Sequence, residues 1–451
     1  MKGLGNQFKD PLNMILSVLV VLSLLGAWMY VKDTPGLDYY VAWVAADAVS
    51  NDTPNNIYKP ESRYRLAVIY KNKADERQDN PRQKTIAKHR KTLPMTATPF
   101  MYWVTGLLVT GDYEQDLTTW QALSLFLLAV SILVICRLLN YPLATSLVIL
   151  MPVVLMMVPL HSELRVANVN SIQLGMIALI LWLQSRSADT RYLFATGLAI
   201  GLLAMFKPNL APIAILISGG WAVRRQFSKL KITLYGIATG VFTALLVSSW
   251  WLGKATIWWD WFEVFGKTVR GGGPGRSAGN YSAMTQVSGG MDFNNQFVLA
   301  LLFCLLCLVA LWWGRRSAAD TADSNVIADR EMLENTGLVA MGCIVALLAS
   351  SLVWLHYYLL ATPMIIFALR PWQSAEPMNI LSILMLRVLP VIALICLLDT
   401  EIRTLLDGVV DGGTYWAYAT MTSSISLFVI GLWQFSYGVK DLKKFEAPAA
   451  H

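Results

Sequence analysis

Eight side chains stand where a mostly apolar chain has little structural need of them: Asp38, His161, Glu163, Arg165, Asn168, Asn170, Lys207 and His356. Asp38 sits in Gly36-Leu37-Asp38-Tyr39-Tyr40, just past the first long apolar run. His161 to Asn170 form one polar cluster between two further runs. Lys207 and Asn209 flank Pro208, and His356 follows Trp354. Carboxylates, cations and histidines of this kind exchange protons and hold anions when they converge. Each also has a plainer reading. Asp38 can cap a helix, Lys207 can snorkel, His356 can bond to backbone, and Glu163 with Arg165 can neutralise each other. The functional reading rests on whether all of them face one side.

The elements that position them are read from composition. The 451 residues are 55% hydrophobic and 14% charged, with a mean hydropathy of +0.49. Soluble domains carry roughly 25% charged residues, so this composition implies an all-α polytopic membrane protein. Apolar runs place about 12 transmembrane helices near 12–31, 117–138, 142–160, 171–186, 192–206, 209–223, 232–252, 297–314, 336–353, 356–370, 380–398 and 415–437. The first run reads as a retained signal anchor, since it is long and lacks a small-x-small cleavage site. Arg137, Arg186, Arg191, Arg224, Arg225, Lys229, Lys231, Arg315, Arg316 and Arg370 all fall in alternate short loops. The positive-inside rule then puts those loops and both termini in the cytoplasm. Every residue of the opening set falls at the outer ends of its helices.

Two long segments do not span: residues 32–116, with an amphipathic helix expected over 41–49, and the glycine-rich loop 253–296. Both are expected outside the membrane of a single domain, 1–451. A formal charge of +7 would admit nucleic acid as a partner, but most cations sit at helix ends, so none is expected. Cys136, Cys304, Cys307, Cys343 and Cys396 lie within apolar runs and read as packing residues. No GxxxxGK[ST] or GxGxxG motif marks a nucleotide site. Trp258, Trp259 and Trp261 read as an interfacial aromatic belt.

Several short elements, in order, resemble the GT-C superfamily of glycosyltransferases, and within it family 87, the polyprenol-phosphate-mannose-dependent mannosyltransferases. The acid after the first span, the amphipathic helix and Asn56-Ile57-Tyr58-Lys59-Pro60 resemble that family's first outer loop. Thr98-Pro99-Phe100 resembles its Tyr-Pro-Pro element, and Arg165 with Ala167-Asn168-Val169-Asn170 its Arg-x-Gly-Gln-x-Asn. Gly201 to Pro208 is similar to its Lys-Pro helix end, Gly279-Asn280-Tyr281-Ser282 to Gly-Asn-Gln-Ser, and Trp354-Leu355-His356-Tyr357 to Trp-x-His-His. The chain departs in its Ala-Asn for Gly-Gln, its single proline, its Tyr357 for a second histidine, and an enlarged, basic stretch over 61–91.

The resemblance implies an inverting transfer of a sugar, mannose by default or another hexose or pentose. The donor is a polyprenyl-phosphate sugar, the acceptor a glycolipid, glycan or protein, and the setting the outer face of the cell inner membrane among its lipids. Asp38 is then the general base. Lys207 and Arg165 hold the departing phosphate, while His356 donates to it or tunes Asp38. Asn168 and Asn170 bond to sugar hydroxyls, and His161, Glu163 and Asn280 complete the substrate-binding set, with loop 271–282 closing over the donor. No metal or other cofactor is expected. The rival reading, a lipid or solute transporter or flippase, predicts charges along the middle of the spans, where this sequence has almost none.

Overall fold

The computed structural model describes residues 10–51, 56–77, 79–270, 279–288, 293–316, 324–370, 380–398 and 412–436. The glycine run Gly271–Gly275, Asp292 and the tail lysines Lys440, Lys443 and Lys444 lie outside the described residues. Among those described, the regular elements are helices, joined by one isolated antiparallel bridge, Met157 with Leu398. Helix α1 spans Pro11–Val31 and is opened by Asp10, whose carboxylate accepts from the Leu12 amide. Four helices of the first outer segment follow: α2 (Leu37–Ser50), α3 (Pro60–Glu76), α4 (Pro81–His89) and α5 (Pro99–Gly106).

Next come α6 (Tyr113–Leu138), α7 (Leu143–Met156), α8 (Val158–Val166), α9 (Asn170–Gln184), α10 (Thr190–Phe206), α11 (Ala211–Val223), α12 (Phe227–Trp251) and α13 (Ile257–Arg270). The chain continues through α14 (Ala283–Ser288), α15 (Phe293–Arg316), α16 (Ser324–Ala349) and a 3-10 turn, Leu355–Ala361, leading into α17 (Thr362–Ala368). Helix α18 (Ile380–Ile395) contains a π turn at Leu384–Val388, and α19 covers Gly412–Ser436.

Every apolar run forms a helix, but length limits how many cross a bilayer alone. Six described helices are long and apolar enough: α1, α6, α12, α15, α16 and α19. Helices α8 and α9 make a seventh if counted as one span bent by 115°. Five apolar helices of 10–17 residues remain, including α7, α10 and α18. At about 1.5 Å per residue none of these reaches the roughly 30 Å of a hydrocarbon core alone. The expected dozen is therefore not reached by length. The chain is a multi-pass membrane protein with six or seven full-length candidates.

Segment 32–116 folds on its own aromatic core. Trp43 stands edge-on to Tyr70 and Tyr113, Tyr39 tilts onto Trp120, and all five are buried. The Trp43 indole donates to Asp116 at 2.8 Å, so the first outer helices are pinned to the start of α6. Loop 253–296 was expected as an irregular segment, yet it opens with α13. No continuous apolar run announces that helix, because Asp260, Glu263 and Lys267 interrupt its apolar residues. Ile257 and Trp261 are buried, Trp259 and Phe262 exposed. Trp258 and Trp261 donate to Ser248 and to the Thr96 carbonyl, leaving Trp259 to the belt.

Two details fix the helix that carries Lys207. Gly197 and Gly201 on α10 face Gly236 and Gly240 on α12, four residues apart on each helix. A Cβ on any of them would collide with a backbone carbonyl of the opposite helix. Such small-residue seams let membrane helices pack backbone to backbone. At the far end of the bundle Glu334 of α16 pairs with Arg224 at 3.0 Å, Arg315 at 2.7 Å and Arg330 at 3.1 Å. The site described next lies beyond the other end of α16.

Candidate active site

Asp38 lies in the first turn of α2, where the helix dipole favours a negative charge. It is placed by Gly36, which takes φ +65° and packs against Leu117 and the Tyr113 hydroxyl, space no Cβ could share. That hydroxyl donates to the Pro35 carbonyl at 2.5 Å, clamping the turn onto α6. The Asp38 carboxylate keeps 35% of its side-chain surface open although protein surrounds it closely. Burial pushes its carboxyl above the ordinary value, against the pull of the Asn168 hydrogen bond, Arg90 and Lys207.

The α8–α9 bend supplies the next partners. Ala167 takes the left-handed conformation, φ 52°, and turns Asn168 toward Asp38, so that its amide donates to Oδ2 at 2.7 Å. The Asn168 backbone carbonyl accepts from the Trp120 indole at 3.1 Å. Asn170 donates to Glu163 at 2.7 Å, and the Ser171 amide donates to the same carboxylate at 3.2 Å. Glu163 is fully buried, so it caps α9 and balances charge from within.

Lys207 ends α10. Its ammonium lies 4.0 Å from the centre of the Tyr357 ring. Burial lowers its pKa to about 8, with Glu163 and then Asp38 pulling the other way. Thr98 caps α5 and donates to the Phe206 carbonyl at 3.1 Å, tying the Thr-Pro element to the lysine. His356, ahead of α17, places Nε2 3.7 Å from Asp38 Oδ2, too far for a hydrogen bond. That nitrogen is buried without a partner. Burial and Lys207 hold the ring neutral, its pKa well below the usual histidine value.

Asp38, Asn168, Lys207 and His356 thus converge, with Glu163 and Asn170 directly behind them. The other expected residues serve elsewhere. His161 packs on the Tyr30 ring at 5.6 Å and donates from Nε2 to the Val154 carbonyl at 3.1 Å, beside the α7–α8 break. Arg165 is exposed and forms no ion pair among the described residues. Asn280 donates to the Ser351 carbonyl and accepts from the Ser282 and Val353 amides. It therefore fastens segment 279–282 onto the strand-like stretch ahead of His356, an arrangement strengthened by Tyr281 donating to the Val353 carbonyl at 2.7 Å.

Two contributors were not singled out from sequence. Tyr357, read only as a departure from a histidine pair, floors the lysine. Arg90, read only as part of a basic run, reaches the Leu37 carbonyl at 3.4 Å, one residue from Asp38. A model of glycosyltransferase family 87 matches residues 96–351. That span takes in Asn168 and Lys207, begins after Asp38 and Arg90 and ends before His356. No curated protein matches the chain, and no solved structure matches it.

Proposed function

The chain belongs to glycosyltransferase family 87, and from that premise we propose that it transfers a sugar, with inversion, from a polyprenyl-phosphate donor to an acceptor hydroxyl. The observation that carries this reading is the partly open Asp38 carboxylate, oriented by Asn168, with the half-buried Lys207 near enough for its charge to act on it. Asp38 takes the proton as the acceptor oxygen bonds to the anomeric carbon. The bond from that carbon to the phosphate oxygen breaks, and the electron pair leaves with the polyprenyl phosphate. Lys207 meets that growing charge in a site with little water, where a fixed cation stabilises most. Neutral His356 donates a hydrogen bond to the phosphate or to the sugar, and Asn168 keeps the base aligned.

The family places a membrane glycosyltransferase here, and a transporter has no comparable support. The remaining particulars belong to the proposal: the extracytoplasmic face of the inner membrane, both termini in the cytoplasm, and a bundle of about 12 spans in which the short apolar helices cross in part or meet a locally thinned bilayer. Glycolipid, glycan and protein all remain acceptor classes, and mannose is one of several possible sugars.

Purified protein in lipid nanodiscs, offered a panel of short-chain polyprenyl-phosphate sugars with native membrane lipids as acceptors, tests the reading. Wild type should transfer from one donor. Asp38→Asn should bind that donor unchanged and lose at least about a hundredfold in rate, the lower range for general-base removal. Failure to bind any donor would remove the support for a glycosyltransferase of this class, and undiminished transfer by Asp38→Asn would remove the base.

A further inference from the structure

Residues 59–91 hold a surplus of seven positive charges, as large as the +7 of the entire chain. The segment is mostly α3 and α4, and the structure separates its cations into three kinds. Arg82 is spent: it pairs with Glu114 and donates to the Lys32 carbonyl at 2.7 Å and to Thr118 at 2.9 Å. Lys71, Lys88 and Lys91 are exposed. Arg90 turns toward Asp38's turn, its Nη2 3.4 Å from the Leu37 carbonyl and its Nε buried without a partner. A guanidinium carries five donors in a planar fork suited to an oxyanion, and here most of that capacity is unused. Lys88 on the last turn of α4 and Lys91 just past it, both exposed, flank Arg90 in sequence.

In-line inversion decides which substrate such a cation serves. The attacking hydroxyl and the leaving phosphate lie on opposite faces of the anomeric carbon, and the base must touch the hydroxyl. Arg90 is anchored to the backbone that carries Asp38, so it stands on the acceptor's side. Lys207, held over Tyr357 and balanced by buried Glu163, stands with the leaving group. Arg90 also lies before the matched span, which begins at residue 96, in the enlarged basic stretch where the chain departs from the family's pattern. That is where a feature particular to this chain's acceptor is expected.

We infer that Arg90 binds an oxyanion carried by the acceptor, a phosphate or carboxylate near the hydroxyl that receives the sugar, and that the basic face of α3 and α4 attracts that acceptor. The inference rests on the glycosyltransferase reading and deepens it. An exposed cationic track raises the encounter rate of an anionic ligand, and a fork contact at its end sets orientation.

The test uses the full-length protein in neutral nanodiscs, the labelled donor identified above, and membrane-extract acceptors split by anion exchange into acidic and neutral pools. Wild type should label the acidic pool. Arg90→Gln should raise the KM for that pool by about tenfold or more, as expected for loss of a charge-assisted fork contact, with the donor KM unmoved. Arg90→Lys should fall between the two, and free inorganic phosphate should inhibit wild type more than Arg90→Gln. Labelling confined to the neutral pool, or a donor KM that rises in place of the acceptor KM, would overturn the inference and leave the transferase standing. Transfer to neither pool would bring down the transferase reading and with it this one. Phospholipase C treatment of the labelled product, which cleaves the glycerol–phosphate diester bond, separates a phospholipid headgroup from a glycan-borne anion. Detergent melting of each variant excludes unfolding as the cause of a loss.

Discussion

A lysine that stabilises a departing phosphate works only while protonated, and burial leaves Lys207 with a pKa of about 8 instead of 10.5. Asp38 works only while deprotonated, and burial moves its carboxyl upward from 3.8. The two requirements bound activity from opposite sides. The rate should rise on an acid limb displaced above the ordinary carboxylate range and fall on an alkaline limb starting near pH 8. The free enzyme governs kcat/KM, so the alkaline limb should appear there, dropping about tenfold per pH unit. Bound donor adds a negative charge beside the ammonium and holds its proton, so the same limb in kcat should lie at higher pH. Lys207→Arg keeps its charge at every accessible pH and should abolish the alkaline limb even where the absolute rate falls. A wild-type kcat/KM that stays level through pH 9 would show that the charge on Lys207 is not required. His356 adds no third limb, because burial and Lys207 already keep it neutral across this window.

At the scale of elements, the α8–α9 bend is the joint on which Asn168 depends, and its pivot is a strained alanine. A non-glycine residue in the left-handed region costs about 1–2 kcal/mol, and Ala167 sits at φ 52° and ψ 56°. Glycine, which the family motif holds there, removes that strain but loses more entropy on folding, roughly 0.5–1 kcal/mol. Ala167→Gly should therefore stabilise the protein by up to about 1 kcal/mol, read as a higher melting temperature in detergent, with transfer activity retained. A lower melting temperature would mean that the Ala167 methyl, buried in the packed bend, contributes more than its backbone costs. The bend was legible from Arg165 to Asn170 because polar residues interrupt an apolar run. The runs behind α6, α12 and α15 were legible for the same reason in reverse. Helix α13 was not, since an amphipathic surface helix leaves no unbroken run. His161 and Asn280 look like site residues in one dimension, yet both satisfy backbone groups left open where helices break. Arg90 was hidden for the converse reason: only the fold distinguishes it from Arg82, eight residues earlier, which Glu114 claims.

For the molecule as a whole, the decisive arrangement is polarity along the bundle. Glu334 with Arg224, Arg315 and Arg330 gathers in the first half of α16, while the contacts that hold the stretch before His356 begin after its end, at Ser350 and Ser351. On α16 (Ser324–Ala349) the run from Glu334 to the serines after its end spans about 24 Å at 1.5 Å per residue, most of the roughly 30 Å of a hydrocarbon core. Arginines in short loops favour the cytoplasm, so the arginine end should face inward and Asp38 outward. The basic α3–α4 face does not oppose this orientation, because outer segments longer than roughly 60 residues translocate largely regardless of charge. Thiol labelling checks it with little background: Cys136, Cys304, Cys307 and Cys343 are buried, and Cys396 is half-buried. Lys71→Cys on the exposed face of α3 should react with a membrane-impermeant maleimide from the outer side of sealed spheroplasts. Lys231→Cys, exposed in the first turn of α12, should react only after lysis. The reverse pattern would place Asp38 and Arg90 in the cytoplasm. A lipid-linked donor delivered to the outer leaflet would then never meet the base, and a site for such donors would have to be sought on the arginine end.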